Sequence, residues 1–308
     1  MHPPLGWQGG KKDEGRGVKK KGFKKMEIAY FNGNFLLKDQ IRIDPDDRGF
    51  LFADGVYEVA RWYQGFFYDM ESHMTRLKRS MREIRIEWPG AESFPSAALE
   101  LIERNNLHDI PSLVYLQVTR GATKRNHAFP SPPIPPTVYA FARGFRPEKE
   151  MILTGIQTIL REDTRWSRCD IKSVSLLPNI LSFQEARESG SLECIFVKDG
   201  NITECAHSNV FFVIEGILVT HPESEKVLAG ITRKNVLRLA RAAGISVSET
   251  PLPASRLEEI TEAFITNTSF EIAPVISIDG KAVGKGIPGP VTQLLREKFD
   301  AEIRALKG

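Results

Sequence analysis

The sequence predicts a two-domain α+β protein, and three observations lead there. Up to about residue 143, strand-like segments mix with two amphipathic helical segments. Gly144-Phe145-Arg146-Pro147-Glu148 then breaks the pattern as a linker. Beyond it a new set of strands and helices begins, and 308 residues suffice for two domains of ordinary size. The expected divisions are a basic extension over 1–25, a small α/β domain over 26–143, a linker over 144–149 and a C-terminal domain over 150–308.

Composition excludes several classes. Hydrophobic residues make up 41% and charged residues 26%, a mix able to bury a core. No apolar run approaches the roughly 20 residues needed to span a bilayer. Cys169, Cys194 and Cys205 are an odd set without CxxC spacing, and the six histidines are scattered. That argues against a disulfide scaffold or a zinc site and fits a reducing cytoplasm. The net charge of +3 hides an imbalance. Residues 1–25 hold seven lysines and Arg16 against Asp13 and Glu14, a surplus of six positive charges, so the rest carries −3. The stretch is Gly/Lys-rich and lacks the apolar segment of a secretory signal, so it reads as a disordered extension upstream of Met26. With no aromatic interleaving or RNA motif, an electrostatic arm for nucleic acid or membrane is the lesser reading.

The first half begins with Ile28–Phe31 and Asn34–Leu37 around Asn32-Gly33, the signature of a two-residue hairpin. Residues 44–49 are rich in turn formers and read as a loop. Residues 56–62 alternate, so Val56, Glu58, Ala60 and Trp62 share one strand face and Tyr57, Val59 and Arg61 the other. A tyrosine and an arginine on one face suggest a polar cavity; a half-exposed edge strand is the plainer reading. Met74, Leu77, Met81 and Ile84 predict a helix over 72–86 with Arg76 beside its apolar stripe. A second helix is expected over 96–106, and strands over 113–118 and 138–141. Between those strands, the long loop 122–136 carries Arg125 and His127 and ends in a proline run that stiffens it. Two apart in an extended loop, Arg125 and His127 project to one side as a carboxylate clamp would require. A solvated loop is the plainer alternative.

In the second half a strand is expected over 152–159, a helix over 181–188 and a hairpin with 198–201 as its turn. The return strand starts at Ile202-Thr203-Glu204, is interrupted over 205–209, and is expected to continue through 210–214. Glu204 then sits in an apolar sheet, where a carboxylate needs a partner. Leu228-Ala229-Gly230-Ile231-Thr232-Arg233 leads into an amphipathic helix. Its start offers backbone N–H groups and a hydroxyl at one point, a way to hold phosphate without a Walker loop. The strand 263–269 ends in a hydroxyl-rich turn with Thr268, a second phosphate contact. A hairpin over 276–281 and a helix over 290–305 complete the chain.

Arg168-Cys169-Asp170-Ile171-Lys172-Ser173 sets a lysine between an apolar residue and a serine, ahead of Val174, Leu176 and Leu177. Lysine is seldom placed where its ammonium must shed water, and a neutral amine attacks aldehydes. A lysine snorkelling at a sheet rim is the plainer reading. An amine, a carboxylate for a ring nitrogen (Glu204) and a phosphate cradle (Arg76, the Ile231 amide, Thr232 and Thr268) together suit pyridoxal 5′-phosphate. No GxGxxG or Walker motif competes for the phosphate.

Seven stretches carry a resemblance: DRGFLFADGVYEV (47–59), HMTRLKRS (73–80), QVTRGATKRNHAFP (117–130), CDIKSVSLL (169–177), ITECAHSNVFFV (202–213), LAGITR (228–233) and NTSFEIAPVISIDG (267–280). Through them nearly all of residues 27–305 resembles the class IV aminotransferases of PLP fold type IV, and within them the D-amino-acid branch. The resemblance implies a small N-terminal α/β domain and a larger PLP-binding domain with a barrel-like sheet. The cofactor would lie in the crevice between them, in a homodimer. By position it makes Lys172 the catalytic lysine that links the cofactor and Glu204 the partner of its ring nitrogen. Arg76, Ile231, Thr232 and Thr268 become phosphate ligands, Leu228 packs on the ring, and Ser208 joins the cofactor-binding set. Tyr57, Arg125 and His127 match the carboxylate trap of the D-specific enzymes, Arg125 and His127 reaching the partner subunit's site. Ala60 stands where the branched-chain pattern has glycine. Two departures are Arg61, where lysine is common, and Cys205-Ala206-His207-Ser208, where relatives carry a Gly/Ser-rich run. His207 is there either a spacer, the favoured reading, or an altered contact around the cofactor.

The implied activity is transamination between a D-amino acid such as D-alanine and a 2-oxo acid, expected to be 2-oxoglutarate. It would run in the cytoplasm, with no nucleic-acid or membrane partner. A branched-chain L-amino-acid aminotransferase and an aminodeoxychorismate lyase are rivals on the same scaffold, and an (R)-amine transaminase would not need the trap. A non-enzymatic protein binding nucleic acid through its basic tail is the alternative from another class.

Overall fold

The computed structural model describes residues 27–146 and 153–307. The expected extension over 1–25, residues 147–149 of the expected linker and the expected strand start at Ile152 lie outside the described residues.

Two sheets organise the chain. The first contains β1 (Ile28–Phe31), β2 (Asn34–Leu37), β3 (Gly55–Trp62), β4 (Ser112–Thr119) and β5 (Thr137–Gly144), in the order β2-β1-β5-β4-β3. Every pairing in it is antiparallel. The β1–β2 turn is tight because Asn32 and Gly33 both take positive φ, 48° and 90°, which matches the twist of the flanking strands. The expected loop at 44–49 runs into a short helix, α1 (Arg48–Phe52), started by Asp47 accepting from the Gly49 amide. α2 (Met70–Glu83) lays Met74, Leu77 and Met81 on the sheet, and α3 (Phe94–Arg104) adds Leu101 and Ile102. They share a core with Val56, Trp62, Leu116 and Val118. Each fully buried aliphatic side chain there contributes about 1.5–3 kcal/mol.

The second sheet has ten strands: β6 (Ile156–Glu162), β7 (Glu193–Lys198), β8 (Asn201–Cys205), β9 (Asn209–Ile214), β10 (Ile217–Thr220), β11 (Val247–Glu249), β12 (Leu252–Pro253), β13 (Glu262–Asn267), β14 (Glu271–Ile278) and β15 (Lys281–Ala282). Their order is β11-β10-β9-β13-β14-β6-β7-β8-β12, with β15 on β14. The structure corrects one expectation. β8 and β9 are not halves of one interrupted strand: β8 pairs with β7 and β12, β9 with β10 and β13. The turn between them carries the chain from one arm of the sheet to the other, and the sheet curls so that both arms meet there. The Cys205 amide donates to the Ser208 carbonyl at 2.7 Å. Pairing partners far apart in sequence, not local hydrophobicity, fix this arrangement.

Among the described residues, α4 (Leu177–Glu188), α5 (Ile231–Ala242) and α6 (Pro290–Lys307) flank the second sheet. Val236, Leu237 and Ala240 of α5 and Leu295 and Phe299 of α6 pack on Phe211 and Phe264, whose rings stack at 4.8 Å. The two sheets meet through the segment after Cys169. Ser173 forms a β-bridge with Val56, and the Tyr57 amide donates to the Lys172 carbonyl at 2.9 Å. Tyr68, just before α2, packs on Phe299 at 5.2 Å.

Candidate active site

A cavity opens where the Lys172 segment crosses β3, and its lining includes Tyr57, Arg76, Lys172, Glu204, Thr232 and Thr268. Leu228, Ile231 and Ser208 also line it. One cavity thus collects residues drawn from across most of the chain.

Lys172 is positioned by its backbone. Its carbonyl accepts from Tyr57, and its amide donates to Ser80 Oγ at 3.2 Å. Ile171 is buried in the first core, and alternation turns the next side chain the opposite way. Asp170 pins the segment by accepting from Arg79 Nη2 of α2 at 2.5 Å and from Arg168 Nε at 3.0 Å. Lys172 Nζ lies 4.3 Å from the centroid of the Tyr57 ring, a cation–π contact. It has no hydrogen-bond or ion-pair partner among the described residues, which leaves the amine available.

Glu204, on β8, is buried. It accepts from Arg165 Nη1 at 2.5 Å, from Asn209 Nδ2 at 3.0 Å and from the Leu228 amide at 3.0 Å. Arg165 is itself held by Asp163 at 2.7 Å. Burial pushes the Glu204 carboxyl above its usual value, and Arg165 with the Leu228 amide offsets this only in part. An ionised carboxylate has about four acceptor directions. Three are used, which leaves one for a ring N–H. Sequence reasoning missed Arg165 and Asp163. Their two-residue spacing after β6 was the local signal, but nothing local ties them to a glutamate on β8.

The end of the cavity that could hold a phosphate is built on α5. Gly230 is its N-cap residue and provides no side-chain cap. The first-turn amides therefore lack intrahelical acceptors and face the positive end of the helix dipole. Gly230 is required for space: a Cβ there would collide with Asn209 Oδ1, and Asn209 is the residue that reaches Glu204. Arg76 is buried on α2 and gives Nε and Nη2 to Glu58 at 2.7 and 2.9 Å, and Nη1 to the Ala229 carbonyl at 2.9 Å. A guanidinium has five N–H groups, so two remain. Burial would raise the Glu58 carboxyl, but Arg76, helped by His73, holds it far below its usual range. Glu58 and His73 were also missed. The available hint was a lone carboxylate on the apolar face of β3.

Arg125 and His127 do not line this cavity. Their loop packs on α1: the Arg125 guanidinium lies 4.9 Å over the Phe52 ring, His127 is 5.4 Å from the same ring, and Arg48 donates to the Asn126 carbonyl at 2.5 Å. His207 has a contact of its own. It lines the cavity and its Nδ1 lies 2.7 Å from Glu193.

These residues fit pyridoxal 5′-phosphate. A free amine and a carboxylate with one open acceptor direction share the cavity with an uncapped helix N-terminus. Thr266, buried in the same lining, has a hydroxyl with no partner among the described residues, an orphan that a polar ligand would satisfy. Such a site on this fold defines a PLP-dependent enzyme of the amino-group-transfer type. A family model described as amino-transferase class IV matches residues 55–278. A D-alanine aminotransferase of Bacillus licheniformis is 40% identical over 265 residues, 85% of this chain and 92% of that protein. One from Staphylococcus haemolyticus is 35% identical over 281 residues, 91% and 99% of the two chains. Among solved structures, a branched-chain amino acid aminotransferase from Escherichia coli superposes with a TM-score of 0.81 at 27% identity, covering 90% of this chain and 94% of its own. A second branched-chain enzyme, from T.th. and complexed with N-(5′-phosphopyridoxyl)-L-glutamate, gives 0.82 at 25%, covering 91% and 94%. The chain belongs to the class IV aminotransferases, is an aminotransferase, and uses pyridoxal 5′-phosphate.

Among the described residues no group of side chains is arranged to hold a metal ion, and no helix is long and apolar enough to cross a membrane.

Proposed function

We propose that the protein transfers the amino group of a D-amino acid, such as D-alanine, to a 2-oxo acid, with 2-oxoglutarate the expected acceptor. The observation that carries the reading is Lys172 Nζ, without a polar partner, in one cavity with Glu204 and the N-terminus of α5. The two relatives named D-alanine aminotransferase support the D side.

When bound, the cofactor supplies an aldehyde for the substrate amine and a ring that stabilises negative charge at the substrate Cα. Lys172 Nζ takes the Cα proton and holds it for return, acting as base and then acid. Glu204, steadied by Arg165, Asn209 and the Leu228 amide, would accept a hydrogen bond from the cofactor's ring N–H. Arg76, the Ile231 and Thr232 amides and the Thr232 and Thr268 hydroxyls would hold the phosphate, Ser208 stands in the same wall, and Leu228 would pack against the ring. Tyr57, whose ring already touches Lys172, orients the substrate carboxylate and so selects the Cα face that meets Nζ.

Arg125 and His127 complete the carboxylate trap from a second copy of the chain. Support comes from their position on a loop outside this copy's cavity, and from exposed apolar side chains at Leu177, Ile180 and Leu181 of α4 and Phe50 of α1, which a partner would cover. The two sheets, with the helices on them, act as two domains and the cavity as their crevice. The free thiols of Cys169, Cys194 and Cys205 suit the cytoplasm.

The test is the absorbance spectrum of the PLP-loaded protein with D-alanine and, separately, with L-alanine, followed by turnover with 2-oxoglutarate. Bleaching of the visible band by D-alanine alone supports the reading. Turnover of L-leucine without D-alanine turnover would replace it with the branched-chain reading, which matches the names of the two solved structures.

A further inference from the structure

Glu193, at the start of β7, has a side chain with no exposed surface. Ser208 Oγ donates to its Oε2 at 2.9 Å, the Cys194 amide to its Oε1 at 2.9 Å, and His207 Nδ1 stands 2.7 Å from Oε2. The His207 ring makes T-shaped contacts with Phe183 of α4 at 4.9 Å and with Phe270, after β13, at 6.0 Å. Ser208 has one hydroxyl proton, given to Glu193, so the oxygen can only accept from its other neighbours. It accepts from Asn267 Nδ2 at 2.8 Å. Asn267 Oδ1 in turn accepts the Ser269 and Phe270 amides at 2.8 and 2.6 Å. Those two amides shape the turn that bears Thr268. An ion pair from His207 to Glu193 and a run of hydrogen bonds from Glu193 onward therefore link His207 to a proposed phosphate contact, through residues on β7, the β8–β9 turn and the end of β13.

We propose that His207 is a positioning residue of the phosphate site: it locks Glu193, Glu193 orients Ser208, and Ser208 with Asn267 fixes the turn that presents Thr268. The proposal rests on the reading of Thr268 as a phosphate contact. Ser208 then acts on the cofactor through Asn267 and not as a hydrogen-bond donor to the phosphate. His207 is the ionic partner of Glu193 among the described residues. The charged groups that act on His207 are Glu193 and Lys172, while its ring neighbours on α4 and after β13 are neutral. Partial burial pulls its proton affinity down, although 41% of the side chain is exposed, and Glu193 pulls it further up, to a net value above the ordinary histidine range. A group raised on folding lends its interaction fully below the unfolded value, about 6.5, and loses it as pH rises through the folded value.

The experiment compares wild type with His207→Phe, His207→Gln and Glu193→Gln. PLP affinity is measured by spectral titration, and amide exchange at Ser269 and Phe270 is followed at matched pH. At about pH 6, His207→Phe is expected to weaken PLP binding on the order of tenfold, the scale of one hydrogen bond to a charged group. It should also speed exchange at both amides. The gap from wild type should narrow at alkaline pH, where wild type loses the imidazolium. Glu193→Gln should remove that pH dependence, and His207→Gln, which keeps a neutral donor, should retain part of the turn protection. Parallel pH profiles for wild type and His207→Phe, with equal exchange at the turn, would overturn the proposal. Failure of the wild-type protein to take up PLP would sink the phosphate reading instead, and the exchange data would still decide whether His207 controls the turn.

Discussion

Glu58→Gln tests how Arg76, the proposed phosphate ligand, is held. Glu58 is buried on β3, and Arg76 grips it through Nε and Nη2 while His73 Nδ1 stands 2.9 Å away. Arg76 also reaches the Ala229 carbonyl, one residue before the N-cap of α5. Glutamine keeps the shape but has one acceptor oxygen, and its amide must point donors at a donor. Removing one member of a buried pair costs about 3–5 kcal/mol because the other charge is left unpaired. The partial acceptor sets the expectation at the lower end, about 3 kcal/mol in urea unfolding. PLP affinity should fall with it, as the guanidinium loses its anchor. The double replacement Glu58→Leu with Arg76→Met should cost less stability than Glu58→Gln alone, since no charge is orphaned, yet bind PLP worse. The pH sign follows from the depressed Glu58 carboxyl. Its stabilisation is present above the unfolded value, about 4.3, and is lost as pH falls toward the folded value. Wild type should therefore lose stability more steeply than Glu58→Gln in acid. A Glu58→Gln cost under about 0.5 kcal/mol, the range of ordinary surface changes, would refute the reasoning, as would a double variant less stable than the single one.

Three further outcomes are expected. Lys172→Ala should bind PLP without the covalent link: borohydride reduction followed by mass spectrometry should find no pyridoxyl adduct, and transamination should be lost. Gly230→Ala drives a methyl into Asn209 Oδ1, so it should cost about 1–3 kcal/mol by overpacking and weaken PLP binding through Asn209 and Glu204; thermal melting and spectral titration read both. Arg125→Ala should weaken carboxylate substrates by about 2–5 kcal/mol of transition-state binding while affecting simple amines less. Mixing it with Lys172→Ala should restore activity in mixed dimers, and no restoration after subunit exchange would contradict the shared site.

Part of this site was legible because its signals are local. A two-residue Asn-Gly turn, the helical spacing of Met74, Leu77 and Met81, and a glycine ahead of α5 each act within a few residues. Lys172 stood out because an amine beside apolar residues is costly, and Glu204 because a carboxylate in an apolar strand is. What could not be read were the partners: Arg165 for Glu204 and Arg76 with His73 for Glu58. Such pairs leave no periodic trace, since the residues that satisfy a buried charge are chosen by the fold and not by spacing. The same limit explains why β8 and β9 looked like one strand. Both are apolar with a polar break, and only their separate pairings distinguish them.

By itself, then, the amino-acid sequence offered the hairpin, the main helices and a candidate amine, carboxylate and helix start, because each follows from side-chain chemistry or backbone geometry over one or two turns; their roles in a site came from the family resemblance of whole stretches. Only the tertiary structure decided that β8 and β9 lie on opposite arms of a curled sheet, and that Arg165 faces Glu204. It also showed that His207 closes on the buried Glu193. Those outcomes depend on long-range strand pairing and on the cost of leaving a buried charge unpaired, which a linear chain does not display.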